Sequence, residues 1–423
     1  MIPVDDYLRH IVSLVKPLSP TMLGVYDALG CVLARDLPAL VSVPPFTNSA
    51  MDGYAMRVAD IPEKTCADAP FSLRVVGDIP AGDSRHLTCE PGTAWRIMTG
   101  AALPDGADCV VKVEDTDQPS GNAPLPKAVT IFTSPSLHHN IRQAGEDVTE
   151  GHIVLQSGIP LTAAALSSAT SIGYSQLPVY PQPRIAIIST GTELVTAGKA
   201  LRHGQIPDSN SVLLHNLAIS NHCKVTAVHR CNDSTEEFYH TLIKVAQNAD
   251  IIITTGGISA GAYDVVKAFG MKSDMYFTRV AMQPGKPQGC GVMTNSRGDS
   301  VLVATLPGNP VSVFVSFFAF VRPVLYRLTH RSPNSVLPPI AATFTSSWTS
   351  RAGKRQFVPV HVTDPLRPGE TPMATPTHHL GSTSHLVASL HLANGLAVIP
   401  EDVEEIPQWG IVDVLRLGTD MCS

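Results

Sequence analysis

The chain has 423 residues, 44% of them hydrophobic and 16% charged, which is ample for packed cores and too apolar for wholesale disorder. Its 30 Lys and Arg against 36 Asp and Glu give a formal net charge of -6 with no Lys/Arg-rich run, which argues against nucleic acid or an anionic membrane as a partner. At roughly 100–200 residues per domain, the length predicts two to four domains.

Residues 1 to about 41 read as helical, with Val4, Tyr7, Leu8, Ile11, Val12 and Val15 at helical spacing. The acidic, amphipathic N-terminus lacks the basic region and apolar core of a signal peptide. From about 42 to 140 the texture becomes β-rich, with strands predicted over 72–76, 93–98 and 128–133 between Pro and Gly turns. Residues 141–179 return to helix, clearest over 161–172, so the β-rich segment reads as an insertion (42–140) into a discontinuous helical linker domain (1–41 and 141–179).

Over 180–330 the rhythm is strand, loop, helix. Strands are expected over 184–189, 224–229, 250–255 and 301–306, and helices over 211–219, 235–247, 263–269 and 310–328. Apolar strands alternating with amphipathic helices indicate a parallel sheet covered on both faces. The apolar run 311–321 is too short to span a bilayer and reads as a buried helix. After a Pro-rich step, 331–423 is again β-like, with strands over 341–345, 357–362 and 395–399, and fits a small barrel or sandwich. The fold class is therefore multidomain α/β plus β.

The 8 cysteines are scattered without a CxxC pair, as expected of reduced cytoplasmic thiols rather than a disulfide framework. Adjacent histidines, His138-His139 and His378-His379, point apart on a strand and lack a chelating helix spacing. Phe314, Phe317, Phe318 and Phe320 read as core or dimer contacts.

Three loops stand where ligands bind open α/β sheets, beyond the carboxyl ends of strands. They are Ser189-Thr190-Gly191-Thr192-Glu193, Thr255-Gly256-Gly257-Ile258-Ser259-Ala260-Gly261 leading to Asp264, and Leu306-Pro307-Gly308-Asn309-Pro310-Val311-Ser312. Glycines let backbone N–H groups approach a phosphate, and a helix N-terminus adds partial positive charge. Asn309 is placed to cap the last helix, with Pro310 in its first turn and Ser312 adding a hydroxyl. Each loop alone is only a tight turn; three at consecutive strand ends point to a phosphate site. Glu193 and Asp264 would repel that phosphate unless a divalent cation, Mg²⁺ with oxygen ligands, lies between. The plainer alternative is that each acid only charges a helix N-terminus.

Taken in order, the strings NSAMDGYA, RIMTGA with GAD, IRQAGED, STGTEL, GQIPDSN, TTGGISAGAYD, MQPGKP and LPGNPVS resemble the MoeA family, the molybdopterin molybdenumtransferases, to which the E domain of gephyrin belongs. The resemblance implies a discontinuous linker domain, an inserted β-rich domain, a parallel-sheet molybdopterin-binding domain and a C-terminal β-barrel. It also implies a cytoplasmic homodimer whose active sites draw on both subunits, with contacts to other molybdenum cofactor biosynthesis proteins. The implied reaction inserts molybdate into adenylylated molybdopterin and releases AMP, with Mg²⁺ as cofactor. By resemblance, Asp52, Asp147, Glu193 and Asp264 are the catalytic acids, Glu193 and Asp264 being metal ligands. Thr99 and Arg142 are neighbouring polar positions, with Gly256, Gly257, Ser259, Gly261, Pro307, Gly308 and Asn309 as binding loops. Lys286, Ser312 and Ser384 match positions associated with molybdate.

Four positions depart from the family pattern. Asn232, followed by Asp233, stands where many members have Asp. Arg279 and Gln283 stand for lysines, so one positive charge is missing. Lys354 stands for an arginine, although Arg355 follows and could substitute, and the resemblance places both with the substrate; an ammonium cannot reproduce a bidentate guanidinium grip. Two rival readings are an enzyme adenylylating molybdopterin on the α/β domain alone, and a scaffold binding protein partners; AMP release with and without molybdate separates them.

Overall fold

The computed structural model describes residues 1–63, 65, 69–121, 123–258, 266, 275–331, 338–365, 367, 369–378 and 386–418. Ser259, Gly261, Asp264, Ser384, Cys66, Cys422, His379 and, save for Val266, the helix expected over 263–269 lie outside the described residues. The chain divides into two compact units: Met1–Arg35, Ser157–Ala163 and Gln176–Ser423 form one, and Asp36–Gln156 with Ala164–Ser175 the other.

The first unit is built on a six-stranded sheet. Strands Lys224–Cys231, Arg184–Thr190, Ile251–Thr255 and Ser300–Leu306 run parallel in that spatial order. The four strands expected from sequence are thus parallel, and two that were not expected, Pro287–Thr294 and Tyr276–Arg279, continue the sheet antiparallel and make it mixed. Ile185, Ile187, Ile251 and Ile253 face one core; Ala186, Ile188 and Ile252 face the other. This two-sided burial explains why the parallel strands read as unbroken apolar runs.

Helices α1 (Val4–Ser13) and α3 (Ser209–Ser220) pack in the first of these cores, while α4 (Thr235–Ala246) covers the second face; α2 is Ala163–Ser171. The last helix, α5 (Pro310–Leu328), runs as α-helix to Ser316, as π-helix over Phe317–Val321, and as α-helix again from Arg322. Pro323, which lacks an N–H, stands just beyond that irregular turn. The helix is 19 residues long, enough in length and composition to cross a bilayer, yet 83% of its apolar window is buried. Phe314, Phe317, Phe318 and Phe320 lie in the core, and α5 is the buried helix expected.

The residues after Ser13 overturn the helical reading of 1–41. They form short strands, Thr21–Gly24, Val32–Leu33 and Leu37–Pro38, each paired with sequence-distant partners such as Gln176–Tyr180 and Ile153–Leu155. Pairings of two to four residues are too brief to show an alternating pattern. At the C-terminal end, Arg355–Thr363, Met373–Pro376, Ile340–Phe344, Ile411–Arg416 and Gly395–Ile399 pair in sequence, and Arg355–Thr363 pairs again with Gly395–Ile399. The sheet therefore closes into a barrel, and closure removes its free edges.

The second unit holds a five-stranded sheet in the order Cys109–Lys112, Gly53–Met56, Thr93–Ile97, Phe71–Ile79, Ala128–Ile131. Tyr54, Met56, Leu73, Val111 and Ile131 fill its core.

Candidate functional site

Parallel register makes the site. Ser189 pairs with Thr255, and Thr255 with Leu306, so the loops that follow all leave one edge of the sheet. They enclose a cleft of about 850 Å³ with Thr190, Gly191, Glu193, Gly256, Gly308 and Lys286 in its wall. Gly257, Pro307, Asn309 and Ser312 line it as well. Glycine is required at Gly256, whose φ is 84° and where a Cβ would sit 2.6 Å from the Thr190 carbonyl oxygen. Asn309 takes the N-cap backbone position of α5 with Pro310 next, but its side chain makes no capping hydrogen bond, contrary to expectation.

The second wall comes from α3. Asp208 caps this helix, its Oδ1 accepting from Ser211 N at 3.1 Å and its Oδ2 from Ser189 Oγ at 2.6 Å. Buried Asn210 donates through Nδ2 to the Gly308 carbonyl at 2.6 Å, tying α3 to the last glycine loop. Asp233 accepts from the Thr192 hydroxyl at 2.8 Å and its N–H at 3.2 Å and also lines the cleft. The departure at Asn232 is thus local: its Oδ1 accepts from Ser234 N at 2.9 Å, and Ser234 caps α4. Asp208, Asn210 and Asp233 were given no role from sequence. The string GQIPDSN carried the first two, but only the fold brings them to the cleft.

Charge in the cleft is lopsided. Glu193, Asp208 and Asp233 face a single cationic lining residue, Lys286, among the described residues. Gln283 lines the cleft where the family pattern has lysine. The Glu193 carboxylate makes no hydrogen bond or ion pair among the described residues and folds over Gly191. No group of three or more His, Cys, Asp or Glu side chains among the described residues is placed to hold a metal by itself.

Lys354 and Arg355 do not line the cleft. Arg355 is bidentate on Asp5, at 2.7 and 2.9 Å, and reaches Glu401 at 3.1 Å. Arg279 lies on the antiparallel strand Tyr276–Arg279, also outside the lining.

The second unit gathers the remaining residues. Asp52 Oδ1 accepts from Thr99 N and Thr99 Oγ1, both at 2.7 Å. Those bonds, the backbone one foremost, hold the Asp52 carboxyl below the ordinary carboxylate range. Arg142 pairs with Asn48 across the short ladder Ile141–Arg142 to Asn48–Ser49, and the Asp147 N–H donates to the Val43 carbonyl at 3.0 Å. Asp52 also borders a hollow of about 400 Å³ with Tyr54, Asp78 and Arg96.

Glycine loops at parallel strand ends, a closed barrel and a β-rich unit in one chain define a multidomain α/β plus β protein with a cleft at its sheet edge. Family models match it. The MoeA N-terminal region (domain I and II) matches residues 2–173, the probable molybdopterin binding domain residues 186–327, and the MoeA C-terminal region (domain IV) residues 341–417. The chain is 40% identical over 410 residues to molybdopterin molybdenumtransferase 2 of Mycobacterium tuberculosis, covering 95% of this chain and 96% of that protein. It is 33% identical over 350 residues to molybdopterin molybdenumtransferase of Haemophilus influenzae, covering 82% and 83%. The molybdopterin biosynthesis MoeA protein of Pyrococcus horikoshii superposes with a TM-score of 0.75 at 27% identity over 99% of each chain. The chain belongs to the MoeA family.

Proposed function

We propose that this protein is a molybdopterin molybdenumtransferase of molybdenum cofactor biosynthesis, inserting molybdate into adenylylated molybdopterin with release of AMP. The observation that carries the reading is the convergence of three glycine-bearing strand ends and Lys286 on one cleft of about 850 Å³. Backbone N–H groups of those loops and the N-terminus of α5 suit the substrate's phosphates. Lys286, with Ser312, suits the oxyanion. Gly256, Gly257, Pro307, Gly308 and Asn309 shape the binding surface, and Ser259, Gly261 and Ser384 are proposed with them from the resemblance.

An acidic cleft for an anionic substrate calls for a counter-ion. Glu193, with its carboxylate unengaged among the described residues, fits a divalent cation, and Asp264 is proposed beside it. Mg²⁺ suits such a site because it is held by one or two carboxylates, waters and substrate phosphates rather than by a protein cage. When bound it offsets charge between oxyanion and phosphoanhydride. Asp52 and Asp147, with Thr99 and Arg142, are proposed to serve the reaction from the partner copy of a cytoplasmic homodimer. Arg355, engaged by Asp5 and Glu401, and Lys354 are proposed to hold the barrel strand that Arg355 begins rather than to touch the substrate.

The test is AMP release from adenylylated molybdopterin. Release should require molybdate and a divalent cation together. Release that ignores molybdate, or none at all, overturns the reading, and a monomer by light scattering overturns the shared site.

A further inference from the structure

The loop Pro284-Gly285-Lys286-Pro287 carries the cleft's cationic side chain, and what fixes it lies behind the cleft wall. Gln288 is 1% exposed. Its Nε2 donates to the Gly285 carbonyl at 2.7 Å and to Ser316 Oγ on α5 at 2.7 Å, while its Oε1 has no hydrogen-bond partner among the described residues. A carbonyl oxygen only accepts, so the bond to Gly285 fixes which end of the carboxamide faces the loop. A buried amide with an orphaned acceptor is a standing cost to stability, where an apolar side chain would have none. That cost points to a use.

Gly285 has φ 96°, and a Cβ there would meet Ser316 Oγ at 3.2 Å, Met282 Cε at 3.3 Å and Gln288 Nε2 at 3.4 Å. A side chain at this position would therefore crowd Ser316, Met282 and Gln288. The Gly285–Lys286 peptide is not among the cis bonds, and a trans peptide directs its N–H opposite to its C=O. With the carbonyl turned inward to Gln288, the Lys286 N–H is turned away from it, and Gly285 and Lys286 both line the cleft. That N–H has no acceptor among the described residues.

We propose that Gln288 is a positioning residue for the oxyanion: by holding the Gly285 carbonyl inward, it presents the Lys286 peptide N–H and side chain together to molybdate. The inference rests on the molybdenumtransferase reading and adds to it a backbone donor and the residue that aims it.

The test compares wild type with Gln288→Met, close in volume and without a donor. Losing an aligned donor to a charged ligand should raise the KM for molybdate about tenfold, with the KM for adenylylated molybdopterin changed less than about twofold. Calorimetric titration of the protein with molybdate alone should show the same weakening. Ser316→Ala, which keeps the bond to Gly285 and removes only its buttress, should give a smaller shift in the same direction and serves if Gln288→Met does not fold. Equal rises in both KM values would mark a merely structural role, and an unchanged molybdate KM in both variants would overturn the proposal. A wild type that releases no AMP would sink the molybdenumtransferase reading itself; an active wild type with indifferent variants sinks only the role of Gln288.

Discussion

Asp52 and Glu193 are both proposed as acids of one reaction, yet the two regions hold them in opposite ways. In the β-rich unit, Asp52 is clamped by the Thr99 N–H and hydroxyl, so its charge is fixed before any ligand arrives. In the α/β cleft, Glu193 follows a glycine turn and its carboxylate has no partner among the described residues. A clamped carboxylate suits positioning or proton-free electrostatics, because its hydrogen bonds favour the ionised form. An unclamped one suits coordination, because a cation supplies the missing partner. The same contrast separates the cleft's loops: Lys286 stands on a loop fixed from behind by Gln288, whereas Gln283 adds no charge at all.

The sharpest way to break the comparison is to remove the cleft's cation. Lys286→Ala should lower kcat/KM for molybdate about a hundredfold, as loss of a group facing developing charge does, with adenylylated molybdopterin binding measured separately. A loss below about threefold would place the oxyanion elsewhere. Next in size is Thr99→Val, which keeps the backbone bond to Asp52 and deletes the hydroxyl. Activity should fall about tenfold. Because Thr99 depresses the Asp52 carboxyl, the variant's carboxyl rises, and the acid limb of the pH–rate profile should move to higher pH. An unmoved limb would show that Asp52 ionisation does not govern turnover. Smaller again is Gln283→Lys, which restores a charge to a solvent-open wall. The KM for molybdate should fall about threefold at low salt, and the gain should fade above roughly 0.15 M ionic strength. A salt-independent change would indicate altered packing instead.

How much of this was legible depends on whether the determinant is local. The strands Arg184–Thr190 and Ser300–Leu306 were read to within a residue or two, because burial on both faces leaves an unbroken apolar run. The glycine loops were legible for the same local reason. The strand Pro287–Thr294 was missed: with Gly289, Gly291 and a proline it reads as a turn, and only its pairing to Ser300–Leu306 makes it a strand. Residues 21–38 failed likewise, since Thr21–Gly24 owes its form to Gln176–Tyr180. In the site, Glu193 and Lys286 announced themselves by motif. Asn210 and Gln288 did not, because a carboxamide's role is set by which distant carbonyl it meets, Gly308 across 98 residues in one case.

Arg355 gives the smallest expected effect on catalysis and the one that best separates the two kinds of residue. Sequence resemblance put it with the substrate; the structure gives its guanidinium to Asp5 on α1 and to Glu401. Both pairs are partly solvent-exposed, so Arg355→Ala should cost about 1 kcal/mol and leave the molybdate KM unchanged. The pH dependence checks the cause. The Arg355 hydrogen bond holds the Asp5 carboxyl below its ordinary range. A depressed carboxylate contributes stability above its unfolded pKa and loses it as pH falls through the folded one. The gap in thermal stability between wild type and Arg355→Ala should therefore be full near neutral pH and close as acid protonates Asp5. A gap that persists in acid would assign the loss to packing of the Arg355 stem, and a raised molybdate KM would return Arg355 to the oxyanion.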